Sequence, residues 1–367
     1  MNNRRNWLKQ VSLGTLALGF SPFETFANPR SENYVYPDTD KSPILLRSNE
    51  NPYGPSPLAR IAMTKSVNSS NRYGWNLYPQ LITAIAKKNN VSDHNIMLGA
   101  GSTEILDLVL QYSALNKGNF IMAETTYDYW TDPFEKLGLK KITVPLTKDK
   151  KNDLPAILKA IDSNTKMIYI CNPNNPTGTI CDREKLISFI TEATKKAIVF
   201  VDEAYIDFTK EQSLSELTVE NKNLIITKTF SKMYGLAGAR LGYAIAASST
   251  IGELSTLKSS PNLSVSIVSA AGALASLNDE KFIQQVYAAN EEVKKYTIEQ
   301  LTRLNLTCIP SCSNFIYFSL ENYKKDFFKQ LEDHNILGTK IYEENGKWTR
   351  ITIGTMKEMQ QFIAAIK

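Results

Sequence analysis

The chain has 367 residues, 43% of them hydrophobic and 22% charged, with 17 Gly and 15 Pro. That balance belongs to a folded globular protein large enough for two domains, and it excludes a disordered, fibrous or small stapled one. A formal charge of +5 is too mild for a nucleic-acid partner, and four cysteines with two histidines lack the spacing of a disulfide framework or a metal site, so no metal is expected.

The amino terminus reads as an address. MNNRRNWLKQ carries Arg4, Arg5 and Lys9, the uncharged stretch Val11 to Phe20 follows, and Thr25-Phe26-Ala27 offers a small residue at a cleavable position. A basic start and a short apolar run make a signal peptide over 1–27, too short to span a bilayer, so no stable membrane anchor is expected. The arginine pair resembles a twin-arginine signal, which implies export to the periplasm of a protein already folded. A frayed basic tail on a cytoplasmic protein is the alternative.

Residues 28–57 read as an extended, proline-punctuated arm. Beyond it, apolar and β-branched runs at Phe120–Ala123, Lys141–Pro145, Met167–Cys171, Ile198–Asp202, Leu224–Thr229 and Gly242–Ala246 read as strands covered on both faces. Helical patterns such as Leu154–Ile161 and Arg183–Lys195 lie between several of them. Strand alternating with helix predicts an α/β fold with a mostly parallel sheet over 58–255. From 256 to 367 the texture changes to long helices, Lys281–Leu304 among them. Short strands then appear near Thr307, Phe315–Ser319 and Arg350–Gly354, which reads as a smaller α+β domain.

Polar motifs sit just after the predicted strands, where open α/β sheets bind ligands. GAGSTE, ending at Glu104, is a glycine-rich turn into a helix, and free N–H groups at a helix start bind phosphate. ICNPNNPTGT, 170–179, is a tight turn expected to push Asn172 and Asn175 outward. VFVDEAYIDF, 199–208, ends a strand on Asp202 and Glu203, where desolvation calls for a cation or proton donor. TKTFSKMYGLAGARLGY, 227–243, places Ser231, Lys232 and Arg240 after the next strand. A lysine shielded from water near an arginine has its pKa lowered and can attack a carbonyl as a free amine. Lys222 and Lys228 read as solvated surface charges.

Taken in order with RSNENPYGPSP, TTYDYW, SNF and RITIGT, these segments resemble the fold-type I pyridoxal-phosphate enzymes. Within them the likeness is to the class I/II aminotransferases, most of all the histidinol-phosphate aminotransferase branch. The resemblance implies a large α/β domain, a smaller α+β domain and pyridoxal 5'-phosphate as cofactor. It implies that Lys232 forms a Schiff base with the cofactor and then serves as base and acid. Asp202 pairs with the ring nitrogen, Asn175 and Tyr205 with the phenolic oxygen, and Tyr127 stacks on the ring. Ser102, Thr103, Ser231 and Arg240 form the phosphate cup. Tyr53 reaches the neighbouring subunit's site, implying a homodimer, and Arg350 holds the substrate's anionic group by a bidentate pair.

Two departures are visible. Thr103 stands where an acidic residue is common, and the stretch before RITIGT carries Lys340 in place of a second arginine. The expected reaction moves an amino group between an amino acid or histidinol-phosphate-like amine and a 2-oxo acid. A decarboxylase of the same fold, similar to threonine-phosphate decarboxylase, and a non-catalytic binding protein are the alternatives.

Overall fold

The computed structural model describes residues 42–367, of which Pro43–Lys367 forms one unit. The expected signal peptide and most of the expected arm lie outside the described residues.

The strands in chain order are β1 (Ile44–Leu45), β2 (Ile96–Gly99), β3 (Gly118–Ala123), β4 (Leu139–Val144), β5 (Thr165–Cys171), β6 (Ile198–Asp202), β7 (Leu224–Thr229) and β8 (Gly242–Ala246). Five more follow: β9 (Cys308–Ile309), β10 (Phe315–Ser319), β11 (Ile336–Leu337), β12 (Ile341–Glu343) and β13 (Trp348–Thr352). Seven of them make one sheet in the order β2-β8-β7-β6-β5-β3-β4. Its central strands β5, β6 and β7 are buried along nearly their whole length because both faces are covered. Ile168, Ile170, Val199, Val201 and Ile226 point into one core, while the alternating Met167, Tyr169, Phe200 and Ile225 point into the other.

The sheet is parallel from β4 through β7, but β8 runs antiparallel to both β7 and β2. The sequence reading had not separated Gly242–Ala246 from the other strands. The reason for its reversal is the short link from Thr229 to Gly242, whose only helical piece is the turn Ala237–Ala239. A parallel return needs a longer crossover, usually a helix. The sequence reading also missed β2, a short strand hidden by the glycine turn that follows it.

A second sheet, β12-β13-β10-β9, is antiparallel, with Phe315 opposite Thr352 and Tyr317 opposite Arg350. The helices Glu280–Arg303 and Met356–Ile366 contribute Val293, Leu301, Phe362 and Ile363 to its core. The early segment is stitched to this part of the chain: β1 pairs in parallel with β11, and Thr352 N donates to the Leu46 carbonyl at 2.9 Å. Among the described residues no helix is long and apolar enough to cross a membrane, and no cluster of His, Cys, Asp and Glu could hold a metal.

Candidate active site

The carboxyl ends of β2, β5, β6 and β7 and the start of β8 share one edge of the large sheet, since Gly99 is in register with Gly242 and Asp202 with both Cys171 and Thr227. A cavity of about 670 Å³ lies there. Ten of the eleven residues anticipated above line it: Ser102, Thr103, Tyr127, Asn175, Asp202, Tyr205, Ser231, Lys232, Arg240 and Arg350. Tyr53 does not. It is partly exposed and stands beside Asn51, Phe208 and Asn290.

The reversal of β8 gives the cavity an anion-binding pole. Arg240, two residues before β8, is in the left-handed region, φ 53°, and its guanidinium reaches Ser231 Oγ at 3.4 Å and Thr103 Oγ1 at 3.4 Å. Opposite it the helix Ser102–Ser113 begins at Gly101, φ +81°, with no side chain capping its first N–H groups. Such N–H groups and the helix dipole favour an anion. A Cβ at Gly101 would sit 2.2 Å from Arg240 Nη2, and one at Gly242 would sit 2.3 Å from Ser102 N, so both glycines are needed for this close approach.

Lys232 follows Ser231 and donates from Nζ to the Ser48 carbonyl at 2.8 Å. Burial, with the Arg350 and Arg240 charges, pulls its amine down to about 8, against the pull of Glu50 and Asp202. Lys228, expected on the surface, is instead buried at 5% exposure, with Nζ 3.2 Å from Asn89 Oδ1. Burial alone would lower its pKa, but the Coulombic pull of Tyr243, Asp207 and Glu203 holds it above the ordinary lysine value. Glu203, the second strand-end carboxylate, takes Ser213 Oγ and Leu214 N and lies outside the cavity. The sequence placed both Lys228 and Lys232 near one strand end; Lys228 lies within β7, whereas Lys232 lies three residues past its end, in the turn that lines the cavity.

Asp202 is buried at the tip of β6. Its Oδ1 accepts from Ala204 N and its Oδ2 from the Tyr169 hydroxyl, each at 3.0 Å, and among the described residues it has no ion-pair partner. Burial pushes its carboxyl up to about 6, against the hydrogen bonds from Ala204 and Tyr169. A cationic donor reaching this carboxylate from the cavity would relieve that cost. Tyr127 borders the same space, its hydroxyl pKa raised first by burial and then by the Asp202 charge.

Asn175 Nδ2 donates to the Tyr205 hydroxyl at 3.3 Å, and its Oδ1 accepts from Arg350 Nη1 at 2.5 Å. Arg350 Nη2 donates to the Arg47 carbonyl at 2.5 Å, while its Nε is buried with no hydrogen-bond partner among the described residues. Asn172, by contrast, does not reach the cavity. Its Oδ1 accepts from Cys181 N at 2.8 Å and closes the turn that presents Asn175.

Several lining or supporting residues were not singled out from sequence. Asn49, φ 54°, donates from Nδ2 to the Tyr205 hydroxyl at 2.9 Å, while its backbone N–H donates to Thr352 Oγ1 at 2.9 Å. It therefore ties the early segment and β13 to the Tyr205 oxygen. Tyr169 holds Asp202 from inside β5; a tyrosine in an apolar strand must find a partner for its hydroxyl, which was the available signal. Arg47, Tyr129 and Tyr342 line the cavity through long-range contacts that left no local pattern.

Comparison with known proteins agrees with this arrangement. A family model described as aminotransferase class I and II matches residues 41–366. The chain is 33% identical to the histidinol-phosphate aminotransferase of Moorella thermoacetica over 333 residues, covering 89% of this chain and 85% of that protein. It is also 33% identical to that of Caldicellulosiruptor saccharolyticus, covering 88% and 91%. Among solved structures, the histidinol-phosphate aminotransferase of Sinorhizobium meliloti in complex with pyridoxal 5'-phosphate superposes with a TM-score of 0.82 at 24% identity, covering 89% and 90%. The aspartate aminotransferase of Thermus thermophilus with maleate shares the fold, with a TM-score of 0.77 at 16% identity over 88% and 91%. The chain therefore belongs to the class I and II aminotransferases and is a pyridoxal 5'-phosphate-dependent transaminase.

Proposed function

We propose that Lys232 is the residue that holds the cofactor covalently, with Ser102, Thr103, Ser231 and Arg240 taking the phosphate and Asp202 the ring nitrogen. Asn175 and Tyr205 take the phenolic oxygen, and Tyr127 lies against the ring. The observation that carries this reading is that the low-pKa amine of Lys232 shares one cavity with a buried carboxylate lacking a cation and with a helix start lacking a cap. These are the complements of a carbonyl, a protonated ring nitrogen and a phosphate. Borohydride reduction of the yellow holoenzyme followed by peptide mapping should recover the cofactor on Lys232. Label on Lys228 would overturn the assignment.

When bound, the cofactor supplies a carbonyl for the amino group and a conjugated ring that accepts electrons from the substrate carbon. The chain's own residues do the rest. Lys232 Nζ, as a free amine, takes and returns the proton at the substrate carbon. Asp202, as a carboxylate, keeps the proton on the ring nitrogen. Asn175 and the Tyr205 hydroxyl, itself positioned by Asn49, orient the phenolic oxygen.

The donor is an amino acid or a histidinol-phosphate-like amine, and the acceptor is a 2-oxo acid such as 2-oxoglutarate. The names of the relatives support this, whereas likeness to an L-threonine-O-3-phosphate decarboxylase of Porphyromonas gingivalis is 21% identity and shows the fold alone. Arg350 anchors the substrate's anionic group, with a fork already set on the rigid β13 between Asn175 and Arg47. Lysine keeps the charge but offers no fork, so Arg350→Lys should lower kcat/KM for anionic substrates about tenfold or more. Unchanged kcat/KM in steady-state assays would remove Arg350 from this role.

The active form is a homodimer in which Tyr53 reaches the neighbouring site. In support, Tyr53 is not among the residues that line its own cavity, and the exposed apolar residues Leu58, Ile61, Val67, Tyr73 and Trp75 follow it in the chain. The enzyme is exported by the twin-arginine route, on the strength of Arg4 and Arg5 ahead of an uncharged run. Arg4→Lys with Arg5→Lys conserves charge and should leave the protein in the cytoplasm. Unchanged periplasmic delivery in cell fractionation would count against that route.

A further inference from the structure

The anion-binding pole of the cavity rests on a second tier of polar side chains. β2, which runs into the glycine turn, is an edge strand of the large sheet, and Leu98 N finds its partner outside the sheet, in Asn262 Oδ1 at 2.9 Å. Asn262, φ 66°, lies in the irregular segment 257–266 between the helices Ser248–Thr256 and Ile267–Leu277. Two more residues of that segment reach Glu104, the third residue of the helix Ser102–Ser113. Lys258 Nζ lies 2.8 Å from Glu104 Oε1, and Ser264 Oγ donates to Oε2 at 2.5 Å. Ala100 N, inside the glycine turn, donates to the same Oε2 at 2.6 Å. At the start of the next helix Ser269 Oγ donates to the Ala239 carbonyl, beside Arg240. The stretch 258–269 therefore braces both sides of the pole.

A carboxylate in the first turn of a helix is favoured by the dipole, but this turn is also the one assigned to the phosphate, and like charges repel. Glu104 is charged at neutral pH: burial pushes its carboxyl up, but the hydrogen bonds from Lys258, Ser264 and Ala100 outweigh burial and hold it below the usual range. An anion one turn along already registers that charge, since the Asp107 carboxyl is raised first by burial and then by Glu104. Among the described residues Lys258 is the only ion-pair partner of Glu104, and its side chain is 7% exposed, so solvent contributes little to the neutralisation.

We infer that Lys258 is a positioning residue for the cofactor phosphate: its ammonium cancels the Glu104 carboxylate, which can then hold the glycine turn without repelling the phosphate. This rests on the assignment of the cavity above. A purely mechanical brace needs both partners alike, whereas cancellation gives their removal opposite signs.

The test is spectrophotometric titration of the full chain, freed of cofactor, with pyridoxal 5'-phosphate and with pyridoxal. Lys258→Met should weaken pyridoxal 5'-phosphate about tenfold or more and pyridoxal less than about twofold, because only the first carries the phosphate. Lys258→Arg, which keeps the charge, should bind the phosphate form within about threefold of wild type. Glu104→Gln, whose amide oxygen can still accept from Ala100 N, should bind it at least as tightly as wild type, and adding this change to Lys258→Met should restore most of the loss. Unchanged pyridoxal 5'-phosphate affinity in Lys258→Met would overturn the role, as would an equal loss for pyridoxal or a Glu104→Gln variant weakened as much as Lys258→Met. Should Lys258→Met not fold, Glu104→Gln decides alone: binding as tight as wild type supports cancellation, and a loss of about tenfold overturns it. Failure of the cavity assignment would show separately, as absence of the borohydride label from Lys232 in the wild type.

Discussion

Lys232→Ala should reduce transamination by a factor on the order of 10⁴ or more, with the fold intact. One variant removes two functions at once, the covalent hold on the cofactor and the proton carrier at the substrate carbon. The local structure should survive, because the Lys232 amine makes one hydrogen bond, to the Ser48 carbonyl, and faces a cavity already open to solvent. Lys228 is no substitute. It is committed to Asn89, and the anionic groups around it favour the charged form.

The two lysines also differ in when they can react. With its amine pulled down to about 8, Lys232 is partly a free base near neutral pH. Uptake of the cofactor by the cofactor-free chain should therefore quicken about tenfold per pH unit up to about pH 8 and then level off. A rate still climbing at pH 10 would mean that the reacting amine has an ordinary lysine pKa. Retention of more than about a hundredth of the wild-type turnover in Lys232→Ala would place the proton carrier elsewhere.

What could be read in the sequence follows from how local its cause is. The bounds of β6, β7, β8 and β10 follow apolar and β-branched runs, and strand-end polar residues point to the functional edge whichever helices surround it. The direction of β8 was not legible from its composition, because Gly242–Ala246 is as apolar as its parallel neighbours; only the brevity of the preceding link carries that information. Lys228 and Lys232 show the same limit at one residue's scale. Both follow an apolar run, but Lys228 lies inside β7 and Lys232 beyond its end, and the partners that hold Lys228, Asn89 and Glu203, are distant in sequence. Asn49, Arg47 and Tyr342 reach the cavity through the pairing of β1 with β11 and of β13 with β10. The first pairing joins Ile44 to Ile336, 292 positions on, the second joins Tyr317 to Arg350 across a long intervening segment, and no pattern within any of these segments announces them.

Asp202→Asn should lower turnover on the order of 100-fold to 1000-fold while making the cofactor-free chain more stable at neutral pH. The two effects have one origin. In the cofactor-free chain the Asp202 carboxyl is raised from 3.8 to about 6 by burial, so the folded state prefers it protonated. Unfolded, the same group ionises near 3.8. Between those values the folded chain binds the extra proton, and stability falls as pH rises through the window. Above about pH 6 the full cost, about 3 kcal/mol, is present; below about pH 4 it vanishes. Asparagine avoids the charge and keeps the shape: its Oδ1 can still accept from Ala204 N, and its Nδ2 can donate to the Tyr169 oxygen. Denaturant unfolding of the two cofactor-free chains should thus favour the variant at pH 7 and show no difference near pH 4. An amide cannot keep a proton on the ring nitrogen, however, so the electrons leaving the substrate carbon lose their sink and turnover drops. A variant that gains no stability at pH 7 would show that Asp202 is not held at a cost, and one with near wild-type turnover would show that its charge is not used.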